Sequence, residues 1–479
     1  MDSLSVFTFI WSQVAALQLV KLWNEPGMIY WFTFLSGGVL AGLLTPSKGT
    51  VALMAIEGLT LLYTGSQSNH VVLSVFICVA VLTSWNADRT VWSSQCMGSL
   101  RLLTGALYLI TGIHKLNEGW FDSKYSCAPQ MLTGALAVFH FLPHQLVPLA
   151  LHIIPHCAAG LEILLGFVFF FARNDKARCL AVVSGSMMHL IMGLPYSPMS
   201  VYPFSIIMVP LYISLIPTRI EYMADWLMTN RAVVSACAAM VAGIACNLKS
   251  ILGVEDEMLE YPAYSSWSTG VTWNICMWLS MMSACLVPVR DVGKWGITVQ
   301  GVVIAMSLFI FGMLPFIGVR TYPAFAMFSN LRTEGDASNH YIFGTGLDVF
   351  GYQSDTVEII DSDIPAVRDM QVDLGLFFDN STRTLLDKYG LSSEFHIVPP
   401  RWNHEKQLPF KRFEVPFIEL RRRLSNNKVH GFVAYNRNQV PVMFKSTIGD
   451  RDLEQPLNWF EQTFVRFRTF DRNYSPCRH

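Results

Sequence analysis

PLALHIIPHCAAGLEILLGFVFFF, residues 148–171, is a long apolar stretch with a single charged side chain, Glu162. A helix that crosses the hydrocarbon core of a bilayer needs about 20 consecutive, mostly apolar residues. A helix that is apolar on every face is buried either in a large protein core or in lipid. The stretch therefore predicts a membrane-spanning helix.

The composition of the whole chain agrees with this prediction. Of its 479 residues, 52% are hydrophobic and 14% are charged, whereas soluble proteins have roughly 25% charged residues. The formal net charge of -1 gives no electrostatic basis for nucleic-acid binding, which depends on clustered Lys and Arg. Residues 5–23 lack a basic n-region, so they predict a first membrane helix rather than a signal peptide. We expect an integral, multi-pass membrane protein with no nucleic-acid partner.

Apolar runs of membrane length or slightly less recur along the first two thirds of the chain. They predict a mainly α fold, a polytopic transmembrane helix bundle of about 9–11 membrane segments over residues 1–317. Residues 128–145 are broken by Pro143 and predict a half-helix or an interfacial piece. The candidate segments are 5–23, 28–45, 50–66, 70–84, 98–114, 148–171, 177–194, 200–216, 232–252, 270–288 and 296–317.

From residue 318 charges rise and apolar runs shorten to strand length, which predicts a small extramembrane α+β domain over residues 318–479. Its basic stretch Arg421–Arg423 is interpreted as a solvated helix end that complements the helix dipole. The predicted elements are strands at 356–360 and 395–398, an amphipathic helix at 415–424, and a hairpin of 429–435 with 440–445.

Loop charges predict the topology. The basic loop at 173–178 is placed in the cytoplasm by the positive-inside rule, and the acidic loop at 255–260 falls on the other side. The alternation makes the C-terminal domain lumenal or extracellular, in the endoplasmic reticulum or plasma membrane. Asn380-Ser-Thr is a glycosylation sequon that fits that side. Cys127 and Cys477 lie in polar segments and could pair in an oxidising compartment, which the sequence leaves open.

Residues 109–121, LITGIHKLNEGWF, place the charged Lys115 at the end of an apolar run. An ionisable group at membrane depth is a functional-site hypothesis by default. Desolvation lowers the pKa of a lysine towards that of a usable general base. The alternative is a lysine that extends its amine to the headgroups. Trp120 fits both interpretations, either in an interfacial aromatic belt or in the wall of a lipophilic pocket.

Glu162 and His189 are the other isolated polar residues in apolar surroundings. A lone carboxylate there must find a partner or be neutral, so Glu162 either pairs with Arg101, Lys115 or His189 or acts as an acid that tunes the lysine. His189 is either a hydrogen-bonded core residue or a proton shuttle.

Polar residues are dense just beyond the last apolar run, from Met327 to His340. This segment either caps the bundle or forms a lid that brings Arg332, Asn339 and His340 to a site.

Two histidine pairs four residues apart, His140 with His144 and His152 with His156, have metal-ligand spacing on a helix. Each pair contains a proline and has no acidic residue close in sequence. No metal site is predicted.

Three motifs occur in order: Gly112-Ile-His-Lys115-Leu-Asn-Glu-Gly-Trp120, then Leu161-Glu162 before Gly166-Phe-Val-Phe-Phe-Phe171, then His189 before a helix broken by Gly and Pro. Over roughly residues 70–320 the chain resembles the vitamin K-dependent gamma-carboxylase family and its relatives with the horizontally transferred transmembrane (HTTM) domain. The resemblance implies an intramembrane lyase in which Lys115 matches the catalytic base and His189 an active-site histidine. It also implies a reduced vitamin K-type quinone, with O2 and CO2, as cofactors.

The chain departs from that family at two positions of the first motif. The carboxylases have two adjacent lysines where this chain has His114-Lys115, and an aspartate where it has Asn117. Their large lumenal portion binds protein substrates, whereas only a short α+β domain is present here, so a protein substrate is not expected. The expected partners are membrane lipid and a small lipophilic substrate. The residues assigned as catalytic are Lys115, His189, Glu162 and His114, and those assigned to substrate binding are Arg101, Trp120, Asn117, Arg332 and His340.

Two other functions stay open at this point. One is a membrane terpene cyclase acting on a prenyl diphosphate with Mg2+, since some relatives of this bundle are such enzymes and Asp88-Arg89 could contribute. The other is a non-catalytic membrane protein that binds lipid or a partner.

Overall fold

A computed structural model describes most of the chain. The described residues are 2–23, 29–46, 48–64, 68–122, 125–139, 143–193, 201–229, 263–287, 296–335, 337–344, 346–368, 412–425, 431–438, 440–445 and 455–470, with residues 370, 387, 453 and 477.

Helices dominate the first two thirds of the structure and follow the apolar runs of the sequence closely. The candidate segment at 232–252 and the predicted strand at 395–398 lie outside the described residues. In chain order the helices before the sheet are α1 Ser3–Trp23, α2 Ile29–Leu44, α3 Thr50–Thr64, α4 Asn69–Thr83, α5 Arg89–His114, α6 Glu118–Phe121, α7 Cys127–Phe139, α8 Val147–Phe171, α9 Asp175–Gly193, α10 Tyr202–Tyr212, α11 Pro217–Thr229, α12 Ala263–Ala284 and α13 Val299–Met313.

Among the described residues, three helices are long and apolar enough to cross a membrane: α5, α8 and the segment Val299–Ile317. A fourth candidate is the pair Phe204–Leu215 and Pro217–Trp226, which is bent by 103°. Pro217 begins the second half of that pair, a position at which proline is well tolerated because its missing N–H would have no helical partner. The structure thus has the features of a multi-pass membrane protein, while the predicted total of membrane segments stays a prediction.

Glycines allow α5 and α8 to approach closely. A Cβ at Gly105 would lie 3.0 Å from ring carbons of Phe170, and a Cβ at Gly166 would lie 2.7 Å from Leu109. Small residues at such crossings let helix backbones pack tightly in lipid, where burial of apolar surface does not drive association.

The C-terminal part contains a four-stranded antiparallel sheet in the order β2-β1-β3-β4. The predicted hairpin is present, because Phe432 pairs with Lys445 and Arg437 pairs with Val440. The predicted helix at 415–424 begins later than expected, since its first two residues belong to a strand paired with Thr356 and Val357. The elements are β1 Thr356–Ser362, α14 Pro365–Arg368, β2 Phe413–Pro416, α15 Phe417–Ser425, β3 Phe432–Arg437, β4 Val440–Lys445 and α16 Trp459–Thr463.

Apolar side chains of the sheet and of α15 form the core of this part. The cluster includes Val357, Ile359, Val415, Leu420 and Val433, all almost fully buried. Alternate strand residues point to one face, which is why β1 alternates between buried and more exposed positions.

The chain divides into two compact units. Unit 1 comprises Met1–Leu109 and Leu161–Phe309, and unit 2 comprises Ile110–Gly160 and Ile310–His479. Residues 110–160 therefore group with the C-terminal part. The domain boundary expected at residue 317 stays a prediction.

Candidate functional site

Lys115 lies directly after α5 and is only 7% exposed. Its Nζ donates to the carbonyl oxygen of Thr111 at 3.4 Å and lies 5.1 Å from the centroid of the Trp120 ring. The indole of Trp120 donates to the Pro155 carbonyl at 2.8 Å, which fixes the ring. An aromatic ring face attracts a cation at this distance. The Lys115 side chain is therefore almost entirely covered by protein.

The backbone changes direction immediately around Lys115. The amides of Lys115 and Leu116 donate to the carbonyls of Gly112 and Ile113 in tight turns. Asn117 then caps the short helix α6 by accepting from the Trp120 amide at 2.9 Å. Ser, Thr, Asp and Asn are favoured at this capping position because their side-chain oxygens accept such bonds. The cap places Trp120 beside the lysine.

Asn117 makes further contacts with its side-chain amide. Its Nδ2 donates to the carbonyls of His114 and Ser329, both at 2.7 Å. Its Oδ1 also accepts from Nδ2 of Asn339 at 3.3 Å. These bonds hold the turn and engage the side-chain amide of Asn117, a residue that the sequence assigns to substrate binding.

His114 is fully buried between two backbone carbonyls. Its Nδ1 lies 3.1 Å from the Phe325 oxygen and its Nε2 lies 2.8 Å from the Gly312 oxygen. A neutral imidazole has one N–H and can donate to only one of them at a time. The ring joins the end of α5 to residues far along the chain, so the structure places His114 as a support for the Lys115 turn.

His340 holds the polar segment against the same turn. Its Nε2 donates to the Ile113 carbonyl at 2.8 Å, and its Nδ1 accepts from the amides of Ile342 and Phe343. These partners define the tautomer. Desolvation lowers the pKa of His340 below its ordinary value.

Asn339 makes further contacts of this kind. We call the contacts of Asn339 and His340 with the Lys115 turn and the chain beside it the clamp. The Asn339 carbonyl accepts from the Glu118 amide at 3.1 Å, and its Oδ1 accepts from the amide of Arg332 at 2.9 Å. Asn117 and His340 form a β-bridge. Ser329, Asn339 and His340 of the Met327–His340 segment thus contact the Lys115 turn or the chain beside it. Of the three residues expected to line a lid, these include Asn339 and His340.

A disulfide closes this region. Cys127 and Cys477 are bonded, and Asn330 accepts from the Cys127 amide at 2.9 Å while donating to the Tyr125 carbonyl at 2.8 Å. The pairing that the sequence left open is therefore present in the structure.

His189 belongs to an aromatic cluster within unit 1. The Tyr108 hydroxyl lies 2.6 Å from His189 Nε2 and 2.6 Å from the Tyr212 hydroxyl. The His189 ring stacks on Trp278 with centroids 5.0 Å apart. All four side chains are nearly or fully buried, and hydrogen bonds join Tyr212, Tyr108 and His189 in a chain.

A polar group lies beside this cluster. Ser205 donates to Oδ1 of Asn274 at 2.9 Å, and the Trp278 indole donates to the same oxygen. Within the described part of the chain, His189 Nδ1 and Asn274 Nδ2 are buried and make no hydrogen bond. Buried polar atoms usually have a partner in the protein or in ordered water.

Tyr108, Tyr212 and Asn274 are not among the site residues that the sequence predicts. Asn274 had a usable signal, because an amide in an apolar helix requires a partner. The two tyrosines had no such signal, since a tyrosine in an apolar run is equally common at a membrane interface.

Arg101 supports a helix end. Its guanidinium donates to the carbonyls of Phe169, Val168 and Ala172, at the end of α8. Cations near a helix C-terminus satisfy its free carbonyls and the dipole. Glu162 lies on α8 and is also buried.

The histidine pairs do not gather into a metal site in the described residues. His152 and His156 are exposed on α8, while His140 and the side chain of His144 lie outside the described part. No group of three or more metal-binding side chains occurs among the residues that the structure describes.

Comparisons with known proteins found no match. No protein-family model matches the chain, and neither the curated proteins nor the solved structures that were searched contain a match.

Proposed function

We propose that this chain is an integral membrane enzyme in which Lys115 acts as the general base on a lipophilic substrate. The observation that carries the proposal is the burial of the Lys115 amine against Trp120, at the end of a helix long and apolar enough to cross a membrane. An ionisable group at such a position costs free energy and is retained for function by default.

The reaction that we propose is of the carboxylase type, with a reduced vitamin K-type quinone as the lipophilic group. Aromatic surfaces near Lys115 fit a flat ring: Trp120 lies beside the amine, and Phe121 packs near Tyr341 with centroids 6.0 Å apart. When bound with O2 and CO2, the quinol supplies the oxidative chemistry that drives epoxidation and carboxylation.

The chain's own residues have distinct parts in this proposal. Lys115, once deprotonated, accepts the proton of the quinol hydroxyl at Nζ, and the Thr111 carbonyl and the Trp120 ring orient the amine. His114, Asn117 and the Met327–His340 segment keep the turn in place and exclude water from it. In a dry site each electrostatic interaction is stronger than in water.

The proposal also places the C-terminal domain on the lumenal or extracellular side of the membrane. The Cys127–Cys477 disulfide supports it, because such bonds persist in oxidising compartments and are rare in the cytosol. The endoplasmic reticulum is the compartment that we favour.

A membrane terpene cyclase is the second candidate. It is favoured by the cluster of Tyr108, Tyr212, Trp278 and His189, since aromatic faces stabilise cations such as those formed during cyclisation.

An activity assay with the purified chain in membranes tests the proposal. Incubation with reduced vitamin K-type quinone, O2 and labelled bicarbonate should give the quinone epoxide and fixed label, and Lys115→Ala should abolish the epoxide. Lys176→Ala is the matched control, because Lys176 is an exposed lysine in the first turn of α9.

The alternatives give different products. Hydrocarbon or alcohol products from prenyl diphosphates, without epoxide, would favour the cyclase. Neither product from a chain that is folded in lipid would overturn both enzyme functions and favour a binding protein.

A further inference from the structure

An irregular loop, described at residues 341–344 and 346–350, exposes an unusual run of large apolar side chains. Leu347 is 75% exposed and Val349 63%, and Tyr341, Ile342 and Phe350 are also exposed. Scattered apolar residues on a protein surface are ordinary, but a contiguous patch marks an interaction site.

The loop is bonded directly to the end of a membrane-length helix. The Leu347 amide donates to the Phe316 carbonyl at 2.9 Å, and the Val349 amide donates to the Ile317 carbonyl at 3.3 Å. Phe316 and Ile317 are the last residues of the segment Val299–Ile317. The loop therefore lies at the level where that helix would leave the bilayer.

The other end of the loop lies near a second membrane-length helix. Tyr341 packs near Phe121, and Phe121 packs against His156 with centroids 4.9 Å apart. His156 lies in the first half of α8, where Leu149 and Ile153 are exposed apolar residues. Both ends of the loop thus border candidate membrane helices.

The backbone of the loop is neither helix nor strand. Amides along it nevertheless donate to acceptors within the protein, which suits an apolar boundary. The amides of Tyr341, Ile342 and Phe343 donate to Leu116 or to His340, and those of Leu347 and Val349 donate as described above. Irregular backbone near a bilayer requires such internal partners, because hydrocarbon supplies none.

The acidic side chain of the loop is also engaged internally. Asp348 accepts from the amides of Gln353 and Ser354 at 3.1 and 2.8 Å. Its charge is therefore held by the backbone that follows the loop.

We infer that residues 341–344 and 346–350 form a membrane-inserting surface that lies in the headgroup and upper acyl region of the bilayer. Its partner is the lipid itself. Aromatic and aliphatic side chains are enriched at this depth, and α16 extends the surface, because Phe350 packs on Phe460 with centroids 5.3 Å apart and the neighbouring Trp459 is exposed. The surface would anchor the segment that covers the Lys115 turn.

Site-directed photo-cross-linking of the full chain in phosphatidylcholine nanodiscs tests the inference. p-Benzoylphenylalanine replaces Leu347 in one variant and Val349 in another, and the lipid carries an alkyne tag in its acyl chain. The control position is Val440, which is 60% exposed on β4 and has no bond to a membrane-length helix among the described residues.

We expect several-fold more tagged lipid on the chain at Leu347 and Val349 than at Val440. Equal labelling at the three positions would overturn the inference. So would an adduct with a second copy of the chain or with another protein in place of lipid. The assay needs no enzyme activity, and the same labelling is expected with Lys115→Ala, so its outcome is separate from that of the proposed function.

Discussion

At the scale of single residues, a substitution at Asn117 tests whether its side-chain amide stabilises the turn at Lys115. Its Nδ2 donates to the carbonyls of His114 and Ser329, and a carboxylate cannot donate. We expect Asn117→Asp to lower the free energy of unfolding by about 1–3 kcal/mol, because two buried acceptors lose their donor. Thermal unfolding in detergent measures the change.

Asn86→Asp is the matched control for Asn117→Asp. The Asn86 side chain uses its oxygen to accept from the Asp88 amide, and an aspartate keeps that bond. Equal unfolding temperatures for the two variants would contradict the role assigned to Asn117.

His340 should make the clamp sensitive to acid. Its pKa is lowered from 6.5 by desolvation, so the folded state binds a proton less readily than the unfolded state. The stability due to neutral His340 is present above pH 6.5 and is lost as the pH falls below that value. The hydrogen-exchange protection of residues 338–344, corrected for the intrinsic pH dependence of amide exchange, should therefore fall on acidification.

Two variants check the assignment of that effect to His340. In His340→Ala the clamp should be weaker at neutral pH, by about 1–3 kcal/mol, and the acid dependence should be smaller. In His152→Ala, which changes an exposed histidine, the dependence should be that of the unchanged chain. An unaltered acid dependence in His340→Ala would exclude this mechanism.

The sequence indicates Lys115, His189 and Glu162 as candidate site residues because a polar residue in an apolar run is conspicuous. It could not identify their contacts. His114 contacts Gly312 and Phe325, and Tyr108 contacts Tyr212, across long separations in the chain. Such pairs follow from how helices pack, and apolar periodicity does not encode that packing.

At the scale of elements, helix α15 illustrates the same limit. The interpretation of Arg421–Arg423 as a solvated helix end is wrong for Arg422. That side chain is buried, pairs with Glu419 at 3.1 Å and donates to the Glu461 carbonyl at 2.8 Å. The pattern correctly predicted an amphipathic helix, but it could not reveal that residues 459–467 cover its basic end.

We expect Arg422→Ala to cost about 3–5 kcal/mol, because Glu419 would keep a buried charge without its partner. Arg423→Ala changes an exposed position of the same helix and should alter stability by no more than about 0.5 kcal/mol. Denaturant unfolding followed by limited proteolysis of the C-terminal part compares the two. A loss in Arg423→Ala as large as that in Arg422→Ala would contradict the buried pair.

At the scale of the whole molecule, the sequence predicted a mainly helical fold with a small C-terminal sheet, and the structure has both. Hydrophobic periodicity and length carry that information directly. The grouping of residues 110–160 with the C-terminal part was not predictable, since it depends on bonds such as Cys127–Cys477 between distant segments.

The orientation in the membrane gives a further prediction. Asn380 lies outside the described residues, but its sequon should receive a glycan in microsomes if the C-terminal domain is lumenal. The expected result is a mass increase on a gel that glycosidase removes and that Asn380→Gln prevents. Protection of the C-terminal domain from added protease should accompany it, and digestion in sealed microsomes would contradict the orientation.

Chemical rescue tests the central claim most directly. In membranes, Lys115→Ala should lose quinone epoxide formation, and a small primary amine added to the medium should restore part of it by occupying the space of the missing side chain and acting as the base. Restoration should follow the free-base concentration of the amine, and the Lys176→Ala control should neither lose activity nor respond. Full epoxide formation by Lys115→Ala without added amine would contradict the assignment of Lys115 as the base.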